Sequence, residues 1–192
     1  AALHDLSCFG RCALTVIIPA LSASGIQTIP VPTALLSTHT GGFTGFTYRD
    51  LTEDMIPIDE HWGTLGIKFG AIYTGFLGSF EQIDIVKRIV DDVSDERTTV
   101  YVDPVMADKG KLYTIFGPDF PAGMRKLCEK ADVIIPNLTE LAFMMGTEYV
   151  EGPYSREYIS QVLEDARCFG TKRIVITGVS YEVGTIEYLR AE

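Results

Sequence analysis

The sequence predicts an α/β protein: a three-layer α/β/α arrangement with a mainly parallel central sheet. Three observations carry this. Strand and helix signals alternate along nearly all of the 192 residues. The strand segments are runs such as Val100-Tyr101-Val102 and Val133-Ile134-Ile135, rich in Val, Ile and Tyr and without polar alternation, as in sheets covered by helices on both faces. Finally, polar residues follow directly after these runs, Asp103 after the first and Asn137 after the second. That is the carboxyl edge, where open α/β sheets hold their ligands.

Each element follows from local signals. Ala1 to His4 reads as the tail of a short buried strand. Gly10 to Ser24 has helical apolar spacing and stops at Gly25. Ile26 to Val31 alternates and is β-like, and Leu35 to Tyr48 is a loop rich in Thr and Gly. Thr52 to Leu65 is a helix with Glu53 and Asp54 near its start, and Phe69 to Thr74 a strand ended by Gly75. Ser79 and Gln82 form a capping-box pair opening a helix to Val93. A strand over Thr98 to Val102 is followed by a helix over Pro118 to Glu129 and a strand over Val133 to Ile135. Asn137 is placed to cap a helix over Leu138 to Met145. Ser155 to Phe169 is helical, Arg173 to Thr177 a strand, and Val183 to Leu189 a further strand. No repeat or linker interrupts this order, so residues 1–192 are read as one domain.

Composition narrows the function. Apolar residues make up 46%, enough for a packed core. The formal charge of −10 argues against a nucleic-acid binder, which would normally carry a basic face. It is compatible with a nucleotide-using enzyme, where a divalent cation and a few local lysines neutralise phosphate. The apolar run from Ala13 to Leu21 is broken by Thr15 and Pro19 and falls short of the roughly 20 residues of a membrane span. No signal-peptide pattern precedes His4-Asp5. Cys8, Cys12, Cys128 and Cys168 are too sparse for a disulfide-stapled domain and are expected as reduced thiols in a cytoplasmic protein.

The segment Val100 to Tyr113 holds the densest chemistry: Asp103, a rigid Pro104, Asp108, and the basic loop Lys109-Gly110-Lys111. A carboxylate at that strand end could hold Mg²⁺, because hard cations take oxygen ligands; it could equally be a cap or a solvated acid. Asn137 and Glu140 repeat the theme on the next strand, and the same Asn-x-x-Glu spacing is that of a helix cap. Ser37-Thr38-His39-Thr40-Gly41-Gly42 could hydrogen-bond a small polar ligand, or be an ordinary turn. Thr74-Gly75-Phe76-Leu77-Gly78 could supply an aromatic wall, and Thr177-Gly178 could offer a hydroxyl and backbone N–H groups to phosphate. The chain has no P-loop, protein-kinase, Rossmann or nucleophile-elbow motif.

Together these residues resemble the pyridoxal/pyridoxamine (vitamin B6) kinase family of the ribokinase-like superfamily. The resemblance is carried in order by His4-Asp5-Leu6-Ser7, Leu36-Ser37-Thr38-His39-Thr40-Gly41 and Tyr73-Thr74-Gly75-Phe76-Leu77-Gly78. It continues through Val102-Asp103-Pro104-Val105-Met106-Ala107-Asp108, Lys111-Leu112-Tyr113, Pro136-Asn137-Leu138-Thr139-Glu140 and Val175-Ile176-Thr177-Gly178. It implies ATP-dependent phosphorylation of the hydroxymethyl group of pyridoxal, pyridoxamine or pyridoxine. By motif position, Ser7, His39, Thr40 and Phe76 would contact the pyridine substrate. Asp103, Asp108, Asn137 and Glu140 would organise Mg²⁺ and the ATP phosphates, with Asp103 and Glu140 nearest the metal. Tyr113 and Thr177 would approach the nucleotide. The family pattern also implies a homodimer.

Two departures qualify the match. After Ser7 the chain reads Cys8-Phe9-Gly10-Arg11-Cys12, where many pyridoxal kinases carry Gly-x-Val-Gly-Asn. The family's Gly-Thr-Gly-Asp segment, which cradles the phosphate and supplies the base, is not in these residues. The expectation is a sequence that covers part of the kinase fold, with the catalytic base unassigned. A hydroxymethylpyrimidine kinase of the same superfamily and a non-catalytic ligand-binding domain are the competing readings. A sugar kinase fits less well, because no β-lid insertion is seen near the start.

Overall fold

The computed structural model describes residues 1–40, 42–182, 184 and 187–191, the last stretch by its backbone. The chain divides into two compact units, Ala1–Thr99 and Val100–Glu192.

The first unit runs β1 (Ala2–Phe9), α1 (Leu14–Ala23), β2 (Pro30–Thr38), β3 (Tyr48–Asp50), α2 (Thr52–Leu65), β4 (Ala71–Thr74) and α3 (Phe80–Val93). Strand β1 pairs in parallel with β2 on one side and β4 on the other, and β3 closes the β2 edge antiparallel. Both faces of β1 are covered: Ala2, Leu3, His4, Asp5 and Ser7 are all buried. The β1–β2 register slips by one residue between His4 and Leu6. The Thr33 carbonyl beside the slip accepts from Leu51 N–H at 3.1 Å and from Gln82 Nε2 at 2.9 Å.

Helix α3 buries Ile83, Val86, Val90 and Val93, the spacing of one helical face. Ser79 Oγ accepts from Gln82 N–H at 3.2 Å, as a cap should. The reciprocal half of the expected box is not made. The fully buried Gln82 side chain instead accepts from Gly78 N–H at 2.8 Å and donates to Thr52 Oγ1 at 3.0 Å, tying α3 to the start of α2.

The second unit contains β5 (Thr99–Val102), the hairpin β6 (Ala107–Asp108) and β7 (Lys111–Leu112), α4 (Phe120–Cys128), β8 (Val133–Ile134), α5 (Leu138–Met145), α6 (Arg156–Asp165), β9 (Arg173–Val179) and β10 (Glu187–Ala191). Strands β5, β8 and β9 are parallel, and β10 returns antiparallel to β9. An isolated parallel bridge between Asn137 and Thr177 carries the β8–β9 pairing beyond the strand end.

Several expected boundaries move. Strand β1 continues to Phe9, so Ser7 lies inside it rather than in a loop. Strand β2 spans Pro30–Thr38, where an earlier strand and a loop from Leu35 were expected. Its prolines hid it, since proline argues against a central strand. Pro30 and Pro32 precede the stretch Ala34–Leu36 that pairs with β3, so the sheet has an edge at both. Helix α1 begins at Leu14, because Gly10 and Ala13 have φ of 118° and 47° and cannot be helical. The basic loop after Asp108 is the two-residue turn of a hairpin, with Lys109 at φ 49° and Gly110 at φ 74°, as a type I′ turn requires. The helix expected over Ser155 to Phe169 is α6 followed by a 3-10 turn, Ala166–Phe169. Of the predicted last strand, Val183, Thr185 and Ile186 lie outside the described residues.

Candidate active site

In the first unit, three adjacent parallel strands bring the predicted ring-contacting residues to one carboxyl edge. Ser7 lies near the end of β1, His39 follows β2 directly, and Phe76 follows β4. Ser7 is fully buried, and its Oγ donates to Asp5 Oδ2 at 2.8 Å. His39 is half-buried, donates its backbone N–H to the Phe9 carbonyl at 3.3 Å, and stands edge-on to Phe43 with ring centroids 5.0 Å apart. A Cβ on Gly10 would overlap the His39 ring, so that ring is positioned by the bare backbone of Gly10. Phe76 is half-buried, and its carbonyl accepts from Thr33 Oγ1 at 2.9 Å. Thr40 is exposed. Gly41 of the predicted loop lies outside the described residues.

This edge carries buried polar atoms that the described residues leave unsatisfied. Thr38 Oγ1, Thr74 Oγ1 and His4 Nε2 are buried and have no hydrogen-bond partner among the described residues. Each such orphan costs about 1–3 kcal/mol unless water or a ligand meets it. His4 packs edge-on to Tyr73 at 4.5 Å and against Gly75, and burial pushes its pKa down to about 3. It is a neutral structural imidazole. Asp5, to which the motif match gives no site role, is also buried, and desolvation raises its pKa while Ser7 and His39 offset part of the rise. The sequence does carry a signal for it: a carboxylate two residues from Ser7 on the same face of a buried strand.

In the second unit, Asp103 follows β5, Asn137 and Glu140 open α5 after β8, and Thr177 bridges to Asn137. Asn137 and Glu140 form a complete capping box. Asn137 Oδ1 accepts Glu140 N–H at 2.9 Å, and Glu140 Oε2 accepts Asn137 N–H at 2.9 Å. Glu140 Oε1 also accepts Met106 N–H at 3.2 Å, and Asn137 Nδ2 donates to the Ala107 carbonyl at 2.8 Å. Both residues therefore clamp the β5–β6 connection onto the start of α5. Burial, and then the nearby Asp103 charge, raise the Glu140 pKa well above the carboxylate range.

Asp108 is exposed at the end of β6, and Asp103 and Tyr113 are half-buried. Desolvation pushes the Tyr113 hydroxyl up to about 12, with Glu140, Asp108 and Asp103 adding to the rise. All three carboxylates thus act on one phenol. Thr139, outside the residues that the motif match assigns, is buried, and its Oγ1 accepts from Gly110 N–H at 3.0 Å, anchoring the hairpin turn to α5. Among the described residues no three His, Cys, Asp or Glu side chains converge as a ready-made metal cage.

In each unit, parallel strands with polar groups at their carboxyl ends define an open α/β protein with its candidate site at the strand ends. A pyridoxal kinase from Lactobacillus plantarum superposes with a TM-score of 0.83 at 30% identity, covering 98% of this chain and 70% of that one. A protein of Bacteroides thetaiotaomicron assigned as a phosphomethylpyrimidine kinase, crystallised with pyridoxal, superposes at 0.87 with 43% identity over 93% of this chain and 62% of that one. Pyridoxal kinase PdxY of Leifsonia xyli is 28% identical over 181 residues, which is 90% of this chain and 62% of the relative. Residues 3–189 match the phosphomethylpyrimidine kinase family, and the chain belongs to that family, within the ribokinase-like superfamily that includes the pyridoxal kinases. It spans 62% of the length of the Leifsonia relative.

Proposed function

We propose that this chain provides the ring-binding and phosphate-binding residues of an ATP-dependent kinase that phosphorylates the hydroxymethyl group of pyridoxal, pyridoxamine or pyridoxine. The observation that carries the reading is a paired placement of polar groups. Ser7, His39 and Phe76 share one carboxyl edge in the first unit, and Asp103, Asn137 and Thr177 share one in the second. The 43%-identical Bacteroides structure with pyridoxal supports it. The two units then act as a single kinase domain.

The reaction moves the γ-phosphoryl group of ATP to the substrate hydroxymethyl oxygen, with ADP leaving and the hydroxyl proton lost to a base. Such a transfer needs mainly positioning and charge neutralisation. In the first unit Ser7, His39 and Thr40 orient the ring by hydrogen bonding, and Phe76 walls it. In the second unit Thr177 and Tyr113 approach the nucleotide, and Asn137 holds the strand end rigid through Ala107. The donors suit Mg²⁺: Asp103 and Glu140 repel each other, and no cation is among the groups that set the Glu140 shift. Asp103 and Glu140 would hold the ion, which would supply charge neutralisation of the phosphates. No residue described is assigned as the base.

The family name favours a second reading, hydroxymethylpyrimidine as the ring substrate, by the same chemistry. Turnover on each ring by the full-length gene product decides between them. No helix among the described residues is long and apolar enough to cross a membrane. The four free cysteines fit a reducing compartment, and we assign the protein to the cytoplasm. Helix α1 carries no charged residue and buries only Leu14, leaving Val16 40% exposed. We assign that face to a homodimer contact, which a concentration series in sedimentation tests: a fixed monomer would remove it.

A further inference from the structure

Asp5 is the residue of the first unit that the kinase reading leaves without a role. A buried carboxyl group in a strand flanked by two others is costly. It lies opposite the register slip between His4 and Leu6, where β2 carries the extra residue. Its side chain shares a strand face with Ser7 and is only 8% exposed. The Ser7 hydroxyl, itself fully buried, donates to Asp5 Oδ2 at 2.8 Å.

A serine hydroxyl has one proton and two lone pairs. Once the proton is committed to Asp5, Ser7 Oγ can only accept. The ligand atom that meets it must then carry a proton. On a B6 ring that donor is the protonated pyridine nitrogen or the phenolic hydroxyl at the ring's 3-position. A hydroxyl free to rotate would serve acceptors as well as donors. A hydroxyl fixed by a carboxylate does not.

We propose that Asp5 is a positioning residue that fixes Ser7 as a hydrogen-bond acceptor, so that the ring site selects substrates presenting an N–H or O–H donor to Ser7. The inference rests on the kinase reading above. It adds a residue and a rule of ring selection that the motif match did not assign. His39, near enough to act on the Asp5 charge, belongs to the same polar group, and the Cys12 side chain also lies within hydrogen-bond reach of Ser7.

The experiment measures pyridoxine phosphorylation by the full-length gene product in four forms: unaltered, Asp5→Asn, Ser7→Ala and the double variant. Two pyridoxine analogues accompany them, one methylated on the 3-oxygen and one on the ring nitrogen. Asp5→Asn is expected to raise the KM for pyridoxine at least tenfold. The KM for ATP and the thermal midpoint should stay close to the unaltered protein. In the Ser7→Ala background the Asp5→Asn change should have little further effect, because the two act through one hydrogen bond. The unaltered protein should reject one methylated analogue strongly, and Asp5→Asn should narrow that discrimination. Equal KM values for Asp5→Asn and the unaltered protein, or additive effects in the double variant, overturn the inference while leaving the kinase reading intact. No phosphorylation of any ring by the folded, unaltered protein overturns the kinase reading, and the inference with it.

Discussion

Glu140 and Asn137 hold each other: each side chain takes the other's backbone N–H at 2.9 Å. The pair that the motif match assigns to metal and phosphate is thus also the lock that starts α5. A carboxylate with both oxygens engaged by backbone donors acts on a cation chiefly through its charge and through whatever lone pairs remain. Asp103 is half-buried where Glu140 is buried, so in the proposed site it is the more accessible of the two acids.

The two acids therefore separate by variant. Glu140→Ala should destabilise the protein by about 2–4 kcal/mol, the loss of a cap plus a charge-assisted hydrogen bond left unmade. Asp103→Asn should leave stability within about 1 kcal/mol of the parent, because the amide keeps the size of the carboxyl and one of its acceptor oxygens. It should lower turnover at least tenfold. Urea unfolding and steady-state kinetics on the two variants check this. Equal turnover in Asp103→Asn and the parent would remove Asp103 from the metal site.

Gly10 sets the His39 ring. At φ 118°, and with no room for a Cβ, its replacement by alanine must displace His39 or strain the chain. Gly10→Ala should raise the KM for the ring substrate several-fold and leave the KM for ATP unchanged. A change in the ATP constant alone would put His39 on the wrong side of the reaction.

The hairpin turn offers a stability test. A Cβ on Gly110 would sit 2.8 Å from Cδ1 of Tyr149, and its φ is 74°, so Gly110→Ala should cost about 1–2 kcal/mol. Lys109 already occupies φ 49° without being glycine. Lys109→Asn should be neutral or stabilise by a few tenths of a kcal/mol, since Asn tolerates that region better. Thermal or urea midpoints read both, and a stabilising Gly110→Ala would contradict the turn geometry.

Acid should destabilise the fold through His4. Its folded pKa of about 3 lies below the ordinary value of 6.5, so the unfolded state binds the proton first. The stability that depends on neutral His4 is complete above pH 6.5 and is lost as pH falls through that value toward 3. The slope approaches about 1.4 kcal/mol per pH unit for one proton. Asp5 and Glu140, with raised values, contribute in the opposite direction. Replacing His4 by Gln should flatten the slope between pH 4 and 6.5 in urea titrations; an unchanged slope would mean that His4 is not the group responsible.

Much of this was legible in the residues because the parallel strands are apolar on both faces and end in polar groups. The α2 and α5 boundaries, the Asn137 cap and the carboxyl-edge placement of Asp103 all follow from local signals. What was hidden depended on distant partners. Pro30 and Pro32 masked β2 because only the sheet shows which of their faces is unpaired. Gln82 reads as half of a capping box but spends its amide on Gly78, Thr33 and Thr52, contacts that no local pattern encodes. Asp5 was visible beside Ser7, yet its burial and its bond to that hydroxyl required β2 and β4 to be in place.

Phosphorylation of a B6 ring is the activity that the two carboxyl edges are proposed to support. The most direct measurement is ADP release by the purified full-length gene product with Mg²⁺ and ATP, using pyridoxal, pyridoxamine, pyridoxine and hydroxymethylpyrimidine in parallel. Turnover should require Mg²⁺, with a kcat/KM higher for a B6 pyridine than for the pyrimidine. A folded protein that binds these rings but releases no ADP with any of them would contradict that proposal.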